Sequence, residues 1–501
     1  MSTLISFAHN QLTRLKNFLW PVFPEERKIT IFLSAIFFLI WAINTLIYPL
    51  HYSLLINAPN SGVEVIGHVK AFGSIPVGIL FIFCYGLLQS KYTKIQVVTY
   101  IYSFFIVFYL AYAFLIIPNN KSLVINPAII SQYMTDYPDI KWLFPIYGNW
   151  PTCIFYIITD AWISVSISQY FWQTANHYIH ISQAPRLYPI FIIFGGLGGI
   201  IFAPILDSLI AFAKEIDFSS KRERIIYILQ LVIIIEVCLT ICVVFLFVRV
   251  YTIFSPFKQK AERKTKQVAS TSGFSGFKYL FHSSYLFYIF ITLFCSGMIY
   301  QVLNYLWRSE LVAYSSTPSV YNEILTHYSF WEGLGMVLFA LLAKSFIQKR
   351  GWSLAAYMTP ALSIVTAVPF MSLLIYYYFK NEFDYLININ PHYMLAIFGS
   401  FQTITMGASL SCLYYPTKEM TYIPLNKNLK SQGKTATDVL GKSCSNAGSG
   451  LIQGGFLSST GGIDLGYIPH ILLLITALFI TWLYATKGLA RKYLSLVSSR
   501  W

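Results

Sequence analysis

The sequence predicts an all-α polytopic membrane protein of twelve transmembrane helices in two six-helix halves, and three observations carry that expectation. Only 11% of the 501 residues are charged, where a soluble protein carries about 25%. Hydrophobic residues make up 56% of the chain and mean hydropathy is +0.59, enough apolar sequence for a dozen spans of about 20 residues each. That sequence is also cut into runs of spanning length, with one long charged break in the middle. The first two observations exclude a soluble multi-domain enzyme. An aromatic content of 18% excludes a disordered chain, which is poor in aromatic residues.

In chain order, residues 1–28 form an N-terminal segment without the short apolar core and small-residue cleavage site of a leader, so none is expected. Spans are expected at 29–50, 69–90, 95–117, 151–175, 187–213 and 225–254, which make a first half over 29–254. Residues 255–278 are the charged break, where Lys258, Lys260, Arg263, Lys264, Lys266 and Lys278 face a single acid, Glu262. A second half over 279–486 holds spans at 279–306, 325–347, 352–379, 392–415, 434–457 and 467–486, followed by a tail over 487–501.

The net charge of +15 admits nucleic acid as a partner until its placement is counted. With both termini on one side, 25 of the 35 Lys and Arg fall on that side, counting Arg249, Lys344 and Lys434 at the span ends that face it; 8 fall in the opposite loops, and Lys70 and Lys442 lie deeper inside spans. Basic residues collect in cytoplasmic loops, so both termini are expected in the cytoplasm, the charge is an orientation signal, and the surrounding partner is lipid rather than nucleic acid. The seven cysteines show no metal-ligand spacing with histidine, so neither a zinc site nor a disulfide framework is expected, and no cofactor is implied.

A charge at the centre of a membrane helix costs a few kcal/mol on insertion scales and needs a reason to be there. His51, Lys70, Asp160, Asp207, Glu236, Glu332, Lys344, Asp438 and Lys442 are the deep or near-deep groups. Lys344 sits near a span end, where it can snorkel. Glu236, among Ile233, Ile234, Ile235 and Val237, is expected to pair with another helix. Asp438 and Lys442 are four apart, hence on one helix face, and either form an internal ion pair or belong to a site. Their helix also carries Ser443, Ser445, Asn446, Gly448, Ser449, Gly450 and Gln453, a face suited to a close helix contact or a wet cavity. Two six-helix halves around such a face are the architecture of major-facilitator-type transporters, which bind cargo near the mid-plane and rock to alternate access.

The residues Lys418-Glu419-Met420-Thr421-Tyr422-Ile423-Pro424-Leu425, then Gly433-Lys434-Thr435-Ala436-Thr437-Asp438, then Leu451-Ile452-Gln453 resemble the ATP/ADP translocase family of obligate intracellular bacteria and plastids. That family shows K-E-M-A-Y-I-P-L, G-K-A-A-x-D and G-K-S-G-G-A-L-I-Q at these places. The resemblance runs along the chain through Ala58-Pro59-Asn60-Ser61-Gly62, Asn149-Trp150, Asp160-Ala161-Trp162, Ala175-Asn176, Arg186-Leu187-Tyr188, Trp307-Arg308 and Arg350-Gly351-Trp352. It implies a nucleotide transporter in a bacterial inner membrane, with ATP:ADP antiport as the family reaction and no catalytic chemistry.

Carried over residue by residue, the resemblance places a family lysine at His51, an acid at Asp160, a glutamate at Asn304 and the K-E-M lysine at Lys418. Tyr48 stands at a family arginine, Pro49 and Tyr52 at its acids, Leu410 at a lysine, and Asn446 at the lysine of G-K-S-G-G; Lys442 lies one turn before it. Lys70, Arg186, Arg308 and Lys434 are retained cations. A nucleoside triphosphate brings about four negative charges that need Lys or Arg, so fewer cations leave open a less anionic cargo, including another nucleotide or NAD. Tyr48, Tyr52 and Trp162 either stack a base or pack helices. His51 has an unperturbed pKa near 6.5, so His51 with Glu332 or Asp160 is the candidate set for coupling cargo to protons, giving symport in place of exchange; Asp207 is a lesser candidate. The rival class, a polytopic membrane enzyme, would need an acid–His cluster in one loop, and the longest outer loop offers only Asp136, Asp139 and Lys141.

Overall fold

The computed structural model describes residues 20–180, 182–218, 220–262, 282–315, 317–379, 390–425, 433–453 and 468–498. Among them there is no strand. The long helices are α1 (Arg27–Ile56), α2 (Val63–Gln89), α3 (Lys94–Ile116), α4 (Trp150–Tyr178), α5 (Ala184–Glu215) and α6 (Lys221–Glu262), then α7 (Ser284–Tyr314), α8 (Pro318–Arg350), α9 (Trp352–Phe379), α10 (Pro391–Tyr422), α11 (Lys434–Leu451) and α12 (Ile468–Ser498).

Eleven of these are long and apolar enough to cross a membrane. The remaining one, α11, is the helix whose polar face the sequence singles out. It packs on α7 and α2, so protein replaces lipid as its solvent and its serines and glycines meet helix neighbours. Ser445 lies against Gly297, and Gly448 against Met298. Several helices outrun the expected spans. α6 continues to Glu262 and α12 to Ser498, because polar residues outside the hydrocarbon can still close i→i−4 hydrogen bonds. Forty-two residues of α6 make roughly 60 Å of helix at 1.5 Å per residue, twice what the bilayer core requires. The rest of the expected loop, from residue 263, and residues 1–19 lie outside the described residues.

Two seams join the halves, α5 on α8 and α2 on α11. In both, glycine backbones approach closely. In the first, a Cβ on Gly196 would stand 2.6 Å from the Gly333 carbonyl oxygen, and one on Gly333 would stand 2.7 Å from the Gly196 oxygen. In the second, a Cβ on Gly450 would come within 2.7 Å of the Gly67 oxygen. In lipid the hydrophobic effect does not drive helices together, and close backbone approach supplies the van der Waals contact that does. Val337 and Met336 pack beside Gly196, and Gln453 beside Gly67, so each glycine fits where a larger side chain would not. Gly333→Val is therefore expected to cost about 1–3 kcal/mol by overpacking and to lower the melting midpoint in detergent. Gly78→Ala, at a position with open space around it, should leave the midpoint unchanged.

Candidate functional site

Arg308 is the centre of a buried polar group formed between the halves. It is 1% exposed, and α7 presents it on the same face as Asn304, one turn earlier. Its Nε donates to Asn304 Oδ1 at 2.6 Å, Nη1 to the Tyr321 hydroxyl at 2.9 Å, and Nη2 to the Tyr48 hydroxyl at 2.7 Å. The guanidinium lies 3.6 Å from the centre of the Tyr52 ring. Among the described residues no carboxylate forms an ion pair with it. Desolvating an ion costs several kcal/mol, of which a cation–π contact returns about 2. The neutral partners orient the guanidinium without cancelling its charge.

The other sequence-predicted residues gather round this arginine. His51 follows Pro49 in α1 and is 2% exposed. Its Nδ1 donates to the Ile47 carbonyl at 3.1 Å, and its ring packs on Tyr52 and Tyr156 with centroids at 4.4 and 5.0 Å. Asp160 lies one turn beyond Tyr156 on α4, hence on the same face. Lys70 opens a π-helical turn in α2 (Lys70–Ser74), and its Nζ donates to Gln301 Oε1 at 2.5 Å. Gln301 in turn donates to Asn446 Oδ1 at 3.2 Å, which ties first-half Lys70 to α7 and α11. Lys442, one turn before Asn446, is half-buried. Glu332 on α8 reaches toward Gly407 on α10: a Cβ there would lie 2.7 Å from Glu332 Oε1 and 3.6 Å from the Tyr300 hydroxyl. Tyr328 links this corner to the arginine, stacking near Tyr48 and against Trp307.

Lys418 and Lys434 are elsewhere. They form a second cluster at the end of the bundle where α1 begins, roughly 30 Å from Tyr48 along α1 at 1.5 Å per residue. Glu419 sits between them, with Oε1 3.0 Å from Lys418 Nζ and Oε2 2.5 Å from Lys434 Nζ. Lys418 also donates to Asp438 Oδ1 at 2.8 Å, as does the Tyr422 hydroxyl at 2.9 Å. Asp438 thus has its partner on α10, which corrects the expected internal pair with Lys442. All four charges belong to the second half and sum to zero. The first half joins by a hydrogen bond: Asn176 Nδ2 donates to Glu419 Oε2 at 2.5 Å, and within that half the Tyr188 hydroxyl donates to Asn176 Oδ1 at 2.5 Å. Arg186 is apart from both clusters, bound to Glu26 at 2.9 Å and to the Pro21 carbonyl at 2.7 Å.

Two further expectations change. Glu236 is fully buried but accepts from Thr240 of its own helix at 2.8 Å, its other oxygen unpartnered among the described residues; the expected partner helix supplies none. Trp162 is fully buried within the first-half core, so it packs helices and presents no face to a base.

The order of these residues along the chain matches a family as well as a fold. A model of the TLC ATP/ADP transporter family matches residues 6–493. The chain belongs to that family. Similar relatives include "ADP,ATP carrier protein 5" of Rickettsia prowazekii (strain Madrid E), 26% identical over 95% of this chain and 96% of that one. "ADP,ATP carrier protein 1" of Chlamydia trachomatis serovar D is 26% identical over 97% and 93%. Among solved structures, the fold resembles the major facilitator proton:xylose symporter XylE, with a TM-score of 0.56 and 13% identity over 92% of this chain and 94% of that one. It also resembles the E. coli fucose:proton symporter FucP, with a TM-score of 0.52 and 16% identity over 91% and 98%. This TLC family member is an integral membrane transporter, not an enzyme.

Sequence reasoning missed Tyr321, Tyr156 and Gln301, which hold Arg308, His51 and Lys70. Tyr321 lies 13 residues after Arg308 beyond a turn, and one tyrosine among 37 carries no mark of its own. The second cluster generates a test. Glu419→Gln leaves two buried lysines facing Asp438 alone and is expected to cost about 3–5 kcal/mol, as when one partner is removed from a buried pair. Adding Lys434→Met should restore part of that loss, giving a coupling above about 1 kcal/mol in a double-mutant cycle read by thermal unfolding in detergent.

Proposed function

We propose that this protein carries nucleotides across a bacterial inner membrane by alternating access, with both termini in the cytoplasm, and exchanges them in the manner for which its relatives, the ADP,ATP carriers, are named. The observation that carries the reading is a buried guanidinium with neutral partners only, Arg308, facing tyrosine rings from α1 and α8. A phosphate offers it charge-assisted, bidentate bonds, and the tyrosine hydroxyls hold the guanidinium ready for them. Lys70 is the second phosphate ligand in this reading, with Asn304, Asn446 and Lys442 completing the polar lining and Asp160 and Glu332 balancing charge. Lys418 and Lys434 act in the second cluster, and Arg186 braces the end of the bundle. The segments 29–254 and 279–486 are the two moving halves, joined by the basic stretch 255–278.

A second reading, proton-coupled import, rests on His51. A carbonyl only accepts, so the Ile47 bond fixes Nδ1 as the N–H nitrogen and leaves Nε2 to take a proton beside Asp160.

Purified protein in liposomes should take up labelled nucleotide saturably, with faster uptake when unlabelled nucleotide is inside. Arg308→Gln should lower uptake at least a hundredfold, and Arg308→Lys at least tenfold, because ammonium cannot make the forked contact. An inward proton gradient that leaves the rate unchanged, in wild type and in His51→Gln alike, excludes the proton-coupled reading.

A further inference from the structure

Two buried cations of the central site come from opposite halves, Lys70 from α2 of the first and Arg308 from α7 of the second. Both reach the ring of Tyr52, whose centre lies 5.9 Å from Lys70 Nζ and 3.6 Å from the guanidinium carbon. Among the described residues neither cation forms an ion pair with a carboxylate, Asp160 and Glu332 included.

Side-chain amides from one face of α7 hold them instead. Asn304 Oδ1 accepts from Arg308 Nε at 2.6 Å, and Gln301 Oε1 accepts from Lys70 Nζ at 2.5 Å. Positions 301, 304 and 308 follow the i, i+3, i+7 spacing of a helix face. The Gln301 amide is oriented by a further bond. Its Nε2 donates to Asn446 Oδ1 at 3.2 Å, so the carbonyl oxygen is the end left for Lys70. Gln453 Nε2 donates to the Gln301 main-chain oxygen at 3.2 Å and steadies the same turn.

An amide oxygen satisfies an ammonium group without cancelling its charge; a carboxylate in its place would cancel it. The difference acts when the carrier moves. To pass cargo across, the halves must close on the centre and exclude water from it. In the empty carrier that closure desolvates two like charges on opposite halves, and their repulsion grows as the medium becomes less polar. A cargo phosphate between them supplies the missing negative charge. The loaded carrier turns where the empty one is held back, because phosphate favours the closed arrangement over the open one.

Resting on the nucleotide reading, we propose that Gln301 is a positioning residue: it keeps the Lys70 charge uncancelled opposite Arg308, so that the empty carrier is held back and nucleotide moves by exchange rather than by net flow.

The test is efflux of labelled nucleotide from liposomes holding the full-length protein, with and without unlabelled nucleotide outside. Wild type should release label at least tenfold faster when nucleotide is outside. Inorganic diphosphate outside brings the charge without the nucleoside and should raise release at least threefold over buffer alone; adenosine should not. Gln301→Glu places a carboxylate on Lys70 and should raise release into buffer at least threefold while slowing exchange. Gln301→Met removes the amide without adding charge, and should slow exchange with release into buffer no faster than wild type. Wild-type release into buffer as fast as exchange overturns the proposal. So does Gln301→Glu slowing both rates in the same proportion, or Gln301→Met leaking as Gln301→Glu does. Diphosphate without effect, or adenosine as effective as diphosphate, also overturns it, and these wild-type measurements decide where Gln301→Glu fails to insert. No protein-dependent movement of nucleotide in any arm removes the nucleotide reading itself.

Discussion

A bilayer gives a buried guanidinium no water to share its charge, and the arrangement of Arg308 is the constraint around which the central helices are set. To keep the group in place, α7 supplies Asn304, α8 supplies Tyr321, and α1 supplies Tyr48 and the ring of Tyr52. These contacts cross between halves, since α1 belongs to the first and α7 and α8 to the second. The arginine therefore works as a joint between them. Hydroxyls and an amide hold it by hydrogen bonds that can be exchanged one at a time, which suits a group that must change partners when cargo arrives. A carboxylate in the same place would hold it more firmly and compete with phosphate.

The same economy governs the contacts between halves. At the seams Gly196 meets Gly333 and Gly67 meets Gly450 backbone against backbone, and the second cluster keeps its ion pairs within one half while Asn176, itself held by Tyr188, reaches across to it. Separating the halves there breaks the hydrogen bond from a neutral amide to Glu419, and the cluster's ion pairs stay whole. Net hydrogen-bond contributions are about 0.5–1.5 kcal/mol, or 1.5–3 to a charged group, within reach of what a bound cargo can repay. Had Glu419 paired with a first-half lysine, opening would have stranded two ions in a low-dielectric space, at several kcal/mol each.

The fold was legible because membrane helices announce themselves by length and apolarity, and the α11 exception was legible because its serines, glycines and amides have no business in lipid. Helix ends were not, since nothing in hydropathy records a helix that continues into water, as α6 and α12 do. The site was legible in part. A charge in an apolar run is conspicuous, so Lys70, Asp160, Glu332 and the pair Asp438 and Lys442 stood out, and the resemblance added Asn304, Arg308 and Asn446. Partners were not legible. Asp438 has a neighbour four residues on that local geometry favours, yet Lys418 from another helix holds it, because two buried charges 20 residues apart gain more from each other than either gains from an ion free to reach solvent. The tyrosines around Arg308 and His51 were invisible for the opposite reason: tyrosine is so common here that only the tertiary structure distinguishes the ones that bond.

The departures from the family pattern have a coherent physical sense once the partners are known. Reading only the cations that stand replaced at 48, 51, 410 and 446 suggests a site that has lost its grip on phosphate. Asn304 changes that. With a glutamate one turn before Arg308 the two would pair, and the guanidinium would be spent on its own helix. With asparagine the same bond is kept, at 2.6 Å, and the charge is released toward Tyr48 and Tyr321, one of which itself occupies a position where the family has an arginine. Loss of a cation at 48 and of an anion at 304 are therefore the two sides of one exchange. It leaves a single buried charge, unpaired with any carboxylate among the described residues, in an aromatic frame.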